Sequence, residues 1–197
     1  MPINVSMESP NNLIDIDASF LEAGNGHISI GGENNVVRIA KQRIVGTAFF
    51  SVTGGARIEL GEDGILGILS IHAVAEGAEI VIGRGIGING AVQITSHERA
   101  SIRIGDNCLF APDVTIMASD VHKILDRKSG RRLNPALDVM IEDKVWIAPR
   151  SVVLRGAHIR SESVVGWGSV VNSSFPANSL IAGMPAKVVR KNIRWEL

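Results

Sequence analysis

The sequence predicts an all-β chain wound as a parallel β-helix of hexapeptide repeats, with one protruding loop and a short C-terminal tail. Three observations predict it. A strand-plus-glycine signature recurs as His27-Ile28-Ser29-Ile30-Gly31, Arg57-Ile58-Glu59-Leu60-Gly61, Glu79-Ile80-Val81-Ile82-Gly83 and Ser101-Ile102-Arg103-Ile104-Gly105, and Gly61, Gly83 and Gly105 stand twenty-two residues apart. Inside and beyond those intervals runs a period close to six, as in Ile104-Gly105-Asp106-Asn107-Cys108-Leu109 and Ile141-Glu142-Asp143-Lys144-Val145-Trp146. The apolar fraction is 45%, yet aromatics make up only 4% and tyrosine is absent, so Ile, Val, Leu and Ala must fill the core, with 21 glycines as punctuation. That composition suits thin, regularly layered β-structure.

Residues 1–26 are weakly patterned and read as an N-terminal cap, within which Asn12 to Asp17 alternates as a short strand. Residues 27–184 carry the repeats. A period of six describes one side of a triangle: an aliphatic residue points inward from a short strand, and a slender residue four places on also faces in. The polar residues between them turn the corner. Three sides make a coil, and stacked coils fill a narrow core with Ile and Val ladders. Ile141 to His158 is one such coil of eighteen residues, and the twenty-two-residue coils carry about four more as corner insertions. A helical alternative fails because β-branched residues dominate, glycine recurs and no 3.6-residue stripe is sustained. The repeat breaks once, over 119–140, and residues 185–197 form the tail.

A chain of 197 residues fits one domain. Twenty basic and twenty acidic residues leave no net charge, so neither a nucleic-acid nor a membrane partner is expected. The lone Cys108 excludes an internal disulfide framework and fits a reducing compartment. No stretch approaches the ~20 apolar residues of a membrane-spanning helix, and no signal-peptide pattern opens the sequence. The expectation is a cytoplasmic protein.

The interrupted stretch opens with Ser119-Asp120-Val121-His122 and gathers Lys123, Asp126, Arg127, Lys128, Arg131 and Arg132. A repetitive scaffold that abandons its rule around a histidine marks a candidate active site. An imidazole titrates near neutrality and serves as a general base. Asp120 would hold that ring in one tautomer, a task a backbone carbonyl also performs. His72, His97 and His122 are spaced by twenty-five, but the local coil period is twenty-two, so they drift around the triangle and no metal site is expected. Cys108 falls on a core-facing repeat position and reads as packing.

The run from Phe110 to Arg190 resembles the bacterial hexapeptide-repeat O-acetyltransferases, which fold as left-handed β-helices. The resemblance rests on the histidine-bearing loop and on Ile141 to Ala148. It rests further on Val164-Val165-Gly166-Trp167-Gly168-Ser169-Val170-Val171 and on Ala182-Gly183-Met184-Pro185-Ala186-Lys187-Val188-Val189-Arg190. The Ser-Asp-x-His form of the loop and the Asn192-Ile193-Arg194-Trp195 ending are most similar to capsular and surface-polysaccharide members, polysialic-acid O-acetyltransferases among them. Glu142 and Ala148 stand where the family carries glycine, and Trp167 where it carries alanine. An indole at 167 would narrow the pantetheine channel or stack on the cofactor.

The resemblance implies transfer of acetyl from acetyl-CoA to a hydroxyl of a surface polysaccharide, without a metal and without a covalent intermediate. His122 falls on the catalytic position, and Trp146 shapes the acceptor side with a flat apolar face and an N–H for the developing oxyanion. Asn89, Ala148, Pro149, Gly166, Trp167, Asn172, Lys187 and Arg190 fall on cofactor-contacting positions, the last basic pair toward the coenzyme A phosphates. Arg127, Arg131 and Arg132 would meet a carboxylated glycan. A cyclic homotrimer with active sites between neighbours is implied as well. A small free sugar, a nucleotide sugar or a xenobiotic is the alternative acceptor, and a non-catalytic glycan-binding or assembly β-helix is the alternative class.

Overall fold

The computed structural model describes residues 2–196 as stacked parallel coils with three flat faces. The first face includes Leu109–Phe110, Trp146–Ile147, Val164–Val165 and Ser179–Gly183. The second includes Val114–Met117, Val152–Val153 and Val170–Val171, and the third is an eight-stranded sheet running from Leu13–Ile16 to Ser174–Phe175. The long strands Gly64–Ala73 and Gly87–Ser96 each continue from the first face into the second, with a register shift between them at the bend, from Ile88 to Ala91. Every face has an inward ladder in strict register. On the third it is Ile39, Leu60, Ile82, Ile104, Ile141 and Ile159, and on the first it is Leu66, Ile88, Phe110, Ile147, Val165 and Ile181. All of these are buried. Burying such a side chain contributes about 1.5–3 kcal/mol relative to exposure.

The corners obey their own rule. Where the third face turns into the first, Asp63, Gly85, Asn107, Lys144, Glu162 and Asn178 stack in successive coils, each with a positive φ. Asn, Asp and Gly tolerate that left-handed conformation best. At Gly85 a Cβ would come within 2.5 Å of Asn107 Oδ1, so any side chain there would have to displace the Asn107 amide. The slender inward residues are often serine. Ser163 Oγ donates to Pro176 O at 3.2 Å, and Ser151 Oγ donates to Gly166 O at 3.0 Å, so these buried hydroxyls bond corner carbonyls.

The interval from Val153 to Ile159 is six residues, from Ile94 to Ile104 it is ten, and from Ile116 to Ile141 it is twenty-five. From Ile88 to Ile94 and from Ile104 to Phe110 the count stays at six. The extra residues of the long coils therefore enter at a single corner, between the second and third faces, and the polar loop leaves from that same corner.

Parallel pairing already includes residues before 27. Asn4–Met7 pairs with the second face and Leu13–Ile16 with the third. The helix Ala18–Ala23 follows, its Asp17 cap accepting from Ser19 N at 2.9 Å, and it sets the fully buried Phe20 over the open end of the core, 6.1 Å from the Phe50 ring. At the other end Ala186–Lys191 folds back antiparallel on Ser179–Gly183. Among the described residues no helix is long and apolar enough to cross a membrane.

Phe20→Ala should cost about 3–5 kcal/mol at this lid. Because coils couple only to their neighbours, hydrogen exchange should accelerate over residues 4–16 and stay slow over 141–165. Uniform acceleration along the chain would contradict that picture.

Candidate active site

On the first face the outward side chains build a cleft. Leu109, Trp146, Val164 and Leu180 stand in register on successive coils, and the antiparallel strand places Arg190 opposite Leu180 as the next rung. Beside that column run Ala148, Gly166 and Ala182, with Lys187 opposite Ala182. Both columns are apolar or small along their length and basic at the end. A Cβ on Gly166 would lie 3.0 Å from Ala182 Cβ, so glycine keeps this floor low. The cleft measures about 600 Å³, and Asn89, Trp146, Ala148, Pro149, Gly166 and Trp167, all singled out from sequence, line it together.

Two indoles shape this cleft differently. Trp146 is half-buried and backed by the Trp195 ring, 6.2 Å away between centroids. Trp195 is itself buried and donates Nε1–H to Lys144 O at 2.9 Å, so the tail folds back to brace the residue. Trp167 lines the cleft yet remains 67% exposed, with the Arg150 guanidinium 5.8 Å from its ring centroid. It walls the cleft and leaves it open.

His122 lies exposed on the loop, at the edge between the second and third faces. The turn that presents it is tight. His122 N donates to Asp120 O at 2.6 Å around Val121, whose φ is +61°. A β-branched residue in that conformation at the centre of a γ-turn is strained, at a cost of order 1–3 kcal/mol, and such strain gathers at functional sites.

Asp120 does not hold the imidazole. Its carboxylate accepts from Asn134 Nδ2 at 3.0 Å and from Arg155 Nε at 2.9 Å, and those partners, Asn134 first, keep its pKa below the usual carboxylate value. Among the described residues nothing hydrogen-bonds the His122 ring. Arg132 is likewise no free cation: it makes a two-pronged pair with Glu98, at 2.6 and 2.8 Å, and that guanidinium holds the Glu98 pKa down. Arg127 and Arg131 are exposed, with no carboxylate partner among the described residues. Asn172 follows Val170–Val171 at the loop's edge, away from the cleft.

Cys108 is buried with its thiol pushed up to about 12, chiefly by desolvation, and its Sγ lies 3.1 Å from Glu142 O. It offers no nucleophile. His72 lies near His97, and its pKa is lowered chiefly by burial and then by that neighbour. Among the described residues no three His, Cys, Asp or Glu side chains are grouped to hold a metal. Glu98, Asn134 and Arg155 were not singled out from sequence. Asn134-Pro135 carries a turn signal, but only the fold reveals that Glu98 and Arg155 share the loop's edge.

No protein-family model matches the chain. A polysialic acid O-acetyltransferase of Neisseria meningitidis is 30% identical over 197 residues, which cover 96% of this chain and 88% of that one. The chain belongs to the hexapeptide-repeat O-acetyltransferase family. A polysialic acid O-acetyltransferase of Escherichia coli is 35% identical over 120 residues and a galactoside O-acetyltransferase of Escherichia coli 36% over 117. These matches span 61% and 58% of the chain, but only 39% and 55% of those two relatives, about half their length. The crystal structure of the polySia-specific acetyltransferase NeuO superposes with a TM-score of 0.83 at 26% identity, over 100% of this chain and 89% of that one. The polysialic acid O-acetyltransferase OatWY superposes with a TM-score of 0.63, also at 26% identity, over 99% and 90%. The fold is thus the left-handed parallel β-helix that the resemblance implied.

The loop's ion pairs carry a pH dependence. Asp120 and Glu98 have folded pKa values below their unfolded ones. Their contribution is fully present above the ordinary carboxylate range, about 4, and is lost as pH falls through the depressed folded values. Limited proteolysis should therefore find residues 119–138 resistant at neutral pH and cut in acid, before the coils unfold. Equal resistance of the loop at both pH values would show that the pairs do not hold it.

Proposed function

We propose that this chain transfers acetyl from acetyl-CoA to a hydroxyl of a surface polysaccharide, with polysialic acid as the acceptor class. The cleft carries this reading. Its apolar ladders suit a pantetheine arm, and Lys187 and Arg190, outside the cleft lining, continue the same columns in register and suit the phosphates. Two relatives and two solved structures carry polysialic acid in their names and support the acceptor. Exposed Arg127 and Arg131 supply cations for its carboxylates. Small-sugar acceptors are the second reading, favoured by the galactoside O-acetyltransferase match. A cytoplasmic reaction fits, because acetyl-CoA is made there and Cys108 stays reduced.

In this mechanism the His122 imidazole takes the proton from the acceptor hydroxyl as its oxygen attacks the thioester carbonyl. The Trp146 N–H is available to the oxyanion that develops. Collapse of the tetrahedral intermediate expels the coenzyme A thiolate, which recovers the proton from the imidazolium. An acetyl ester and a free thiol result. No covalent enzyme intermediate is needed.

His122 and the cleft occupy different edges of one chain, and no residue of 119–138 lines the cleft. We therefore propose a cyclic trimer in which the loop of one chain closes over the cleft of the next. Two measurements test this reading. Thiol release from acetyl-CoA should be fastest with polysialic acid among bacterial glycans, and His122→Ala should lower it by ~10²–10⁴-fold. Small-sugar preference would keep the enzyme and remove the polymer, whereas no release on any acceptor would favour a non-catalytic β-helix. Co-expressing His122→Ala with Gly166→Trp, each inactive alone, should restore part of the activity, because some mixed sites pair an intact loop with an intact cleft. No recovery, in confirmed mixed assemblies, would place both halves of a site on one chain.

A further inference from the structure

The loop poses a mechanical problem. His122 is exposed, its ring has no hydrogen-bond partner among the described residues, and it follows a strained turn at Val121. Within one chain the imidazole is therefore placed through its backbone. Asn134 is the side chain that reaches that backbone. It is 2% exposed, and all three of its hydrogen bonds fall on alternate residues around the histidine. Its Nδ2 donates to Asp120 Oδ2 at 3.0 Å and to His122 O at 2.8 Å, and its Oδ1 accepts from Ile124 N at 2.6 Å.

Arg155 ties this arrangement to the scaffold. It belongs to the next coil, at the corner where the loop leaves. Its Nε donates to Asp120 Oδ2 at 2.9 Å and its Nη1 to Pro135 O at 3.4 Å, so it grips both strands of the loop's base, one on each side of Asn134. On the preceding coil Glu98 holds Arg132. The base of the loop is thus fastened above and below, with Asn134 joining its two arms.

We propose that Asn134, anchored by Arg155 through Asp120, is a positioning residue for His122: it holds the strained turn so that the imidazole meets the acceptor hydroxyl in one geometry. The proposal rests on the reading of His122 as general base. Asparagine suits the task because it offers two donors and an acceptor without charge beside a carboxylate. Aspartate would lose both donors and repel Asp120.

The test is a double-mutant cycle on the full-length protein, by thiol release with saturating polysialic acid. Asn134→Ala should lower kcat on the order of 10-fold to 100-fold, the scale expected for a misplaced catalytic group. KM for acetyl-CoA should stay within about twofold, because Asn134 is buried at the loop's base and, among the described residues, its side chain bonds only Asp120, His122 and Ile124. In the His122→Ala background the same change should have no further effect. Full kcat in Asn134→Ala overturns the proposal and leaves the base intact. So does an equal fold-loss with and without His122, which would mean that Asn134 acts on something else. A fully active His122→Ala overturns the base reading and the proposal with it. Should Asn134→Ala lose the coil's circular dichroism, Arg155→Met replaces it. Loss of kcat at unchanged KM, partly rescued in Arg155→Lys, supports the proposal, and full kcat overturns it.

Discussion

Everything distinctive about this molecule follows from coil-to-coil hydrogen bonding in register. Each strand donates to its counterpart on the next coil, as Leu109 N does to Val145 O and Trp146 N to Ser163 O. An added residue within a strand would slip that register and turn aliphatic side chains outward. Length varies where the chain turns: the large insertions enter at the corner between the second and third faces, and the other two corners differ by a single residue, as from Leu66 to Ile71 and from Ile39 to Ile44. The four-residue extension of the long coils and the active-site loop are two sizes of the same event. The interior is filled by stacked Ile, Val and Leu, so only that edge and the outer face of the ladders are open to a ligand.

The same regularity explains the cleft. Strict register aligns outward residues as faithfully as inward ones, so Leu109, Trp146, Val164 and Leu180 form a straight apolar track. A track of this kind suits a long, thin ligand better than a compact one. Its basic end arises because the last strand reverses and lays Lys187 and Arg190 over the final coil. The tail also supplies Trp195, which packs against Trp146, so a segment outside the repeat fixes a residue within it.

The loop solves the opposite problem, since it has no ladder to align it. Paired charges and a buried amide replace register there. Glu98 with Arg132 and Asp120 with Arg155 bind the loop to the coils on either side, and their partial exposure limits what each pair adds to global stability. Their value lies in geometry, because an ion pair specifies an arrangement even where it contributes little energy. Asn134 fixes the backbone around His122 in the same sense.

The β-helix was legible from the sequence because a period of six and the recurrence of β-branched residues leave few other ways to bury a core. The position of the loop that carries His122 was legible because it interrupts that period. Resemblance carried the cleft residues, and six of them do converge. The roles of Asp120 and Arg132 were not legible: Asp120 was read toward the His122 ring and Arg132 toward a carboxylated glycan, but Asp120 is engaged with Asn134 and Arg155, and Arg132 with Glu98. Those partners lie between 14 and 35 residues away. They meet only because coils of unequal length stack at one corner. Sequence alone thus determined the winding of the chain and where it breaks. Tertiary structure decided which polar groups find one another across the coils, because pairing over that distance depends on how many residues each corner absorbs.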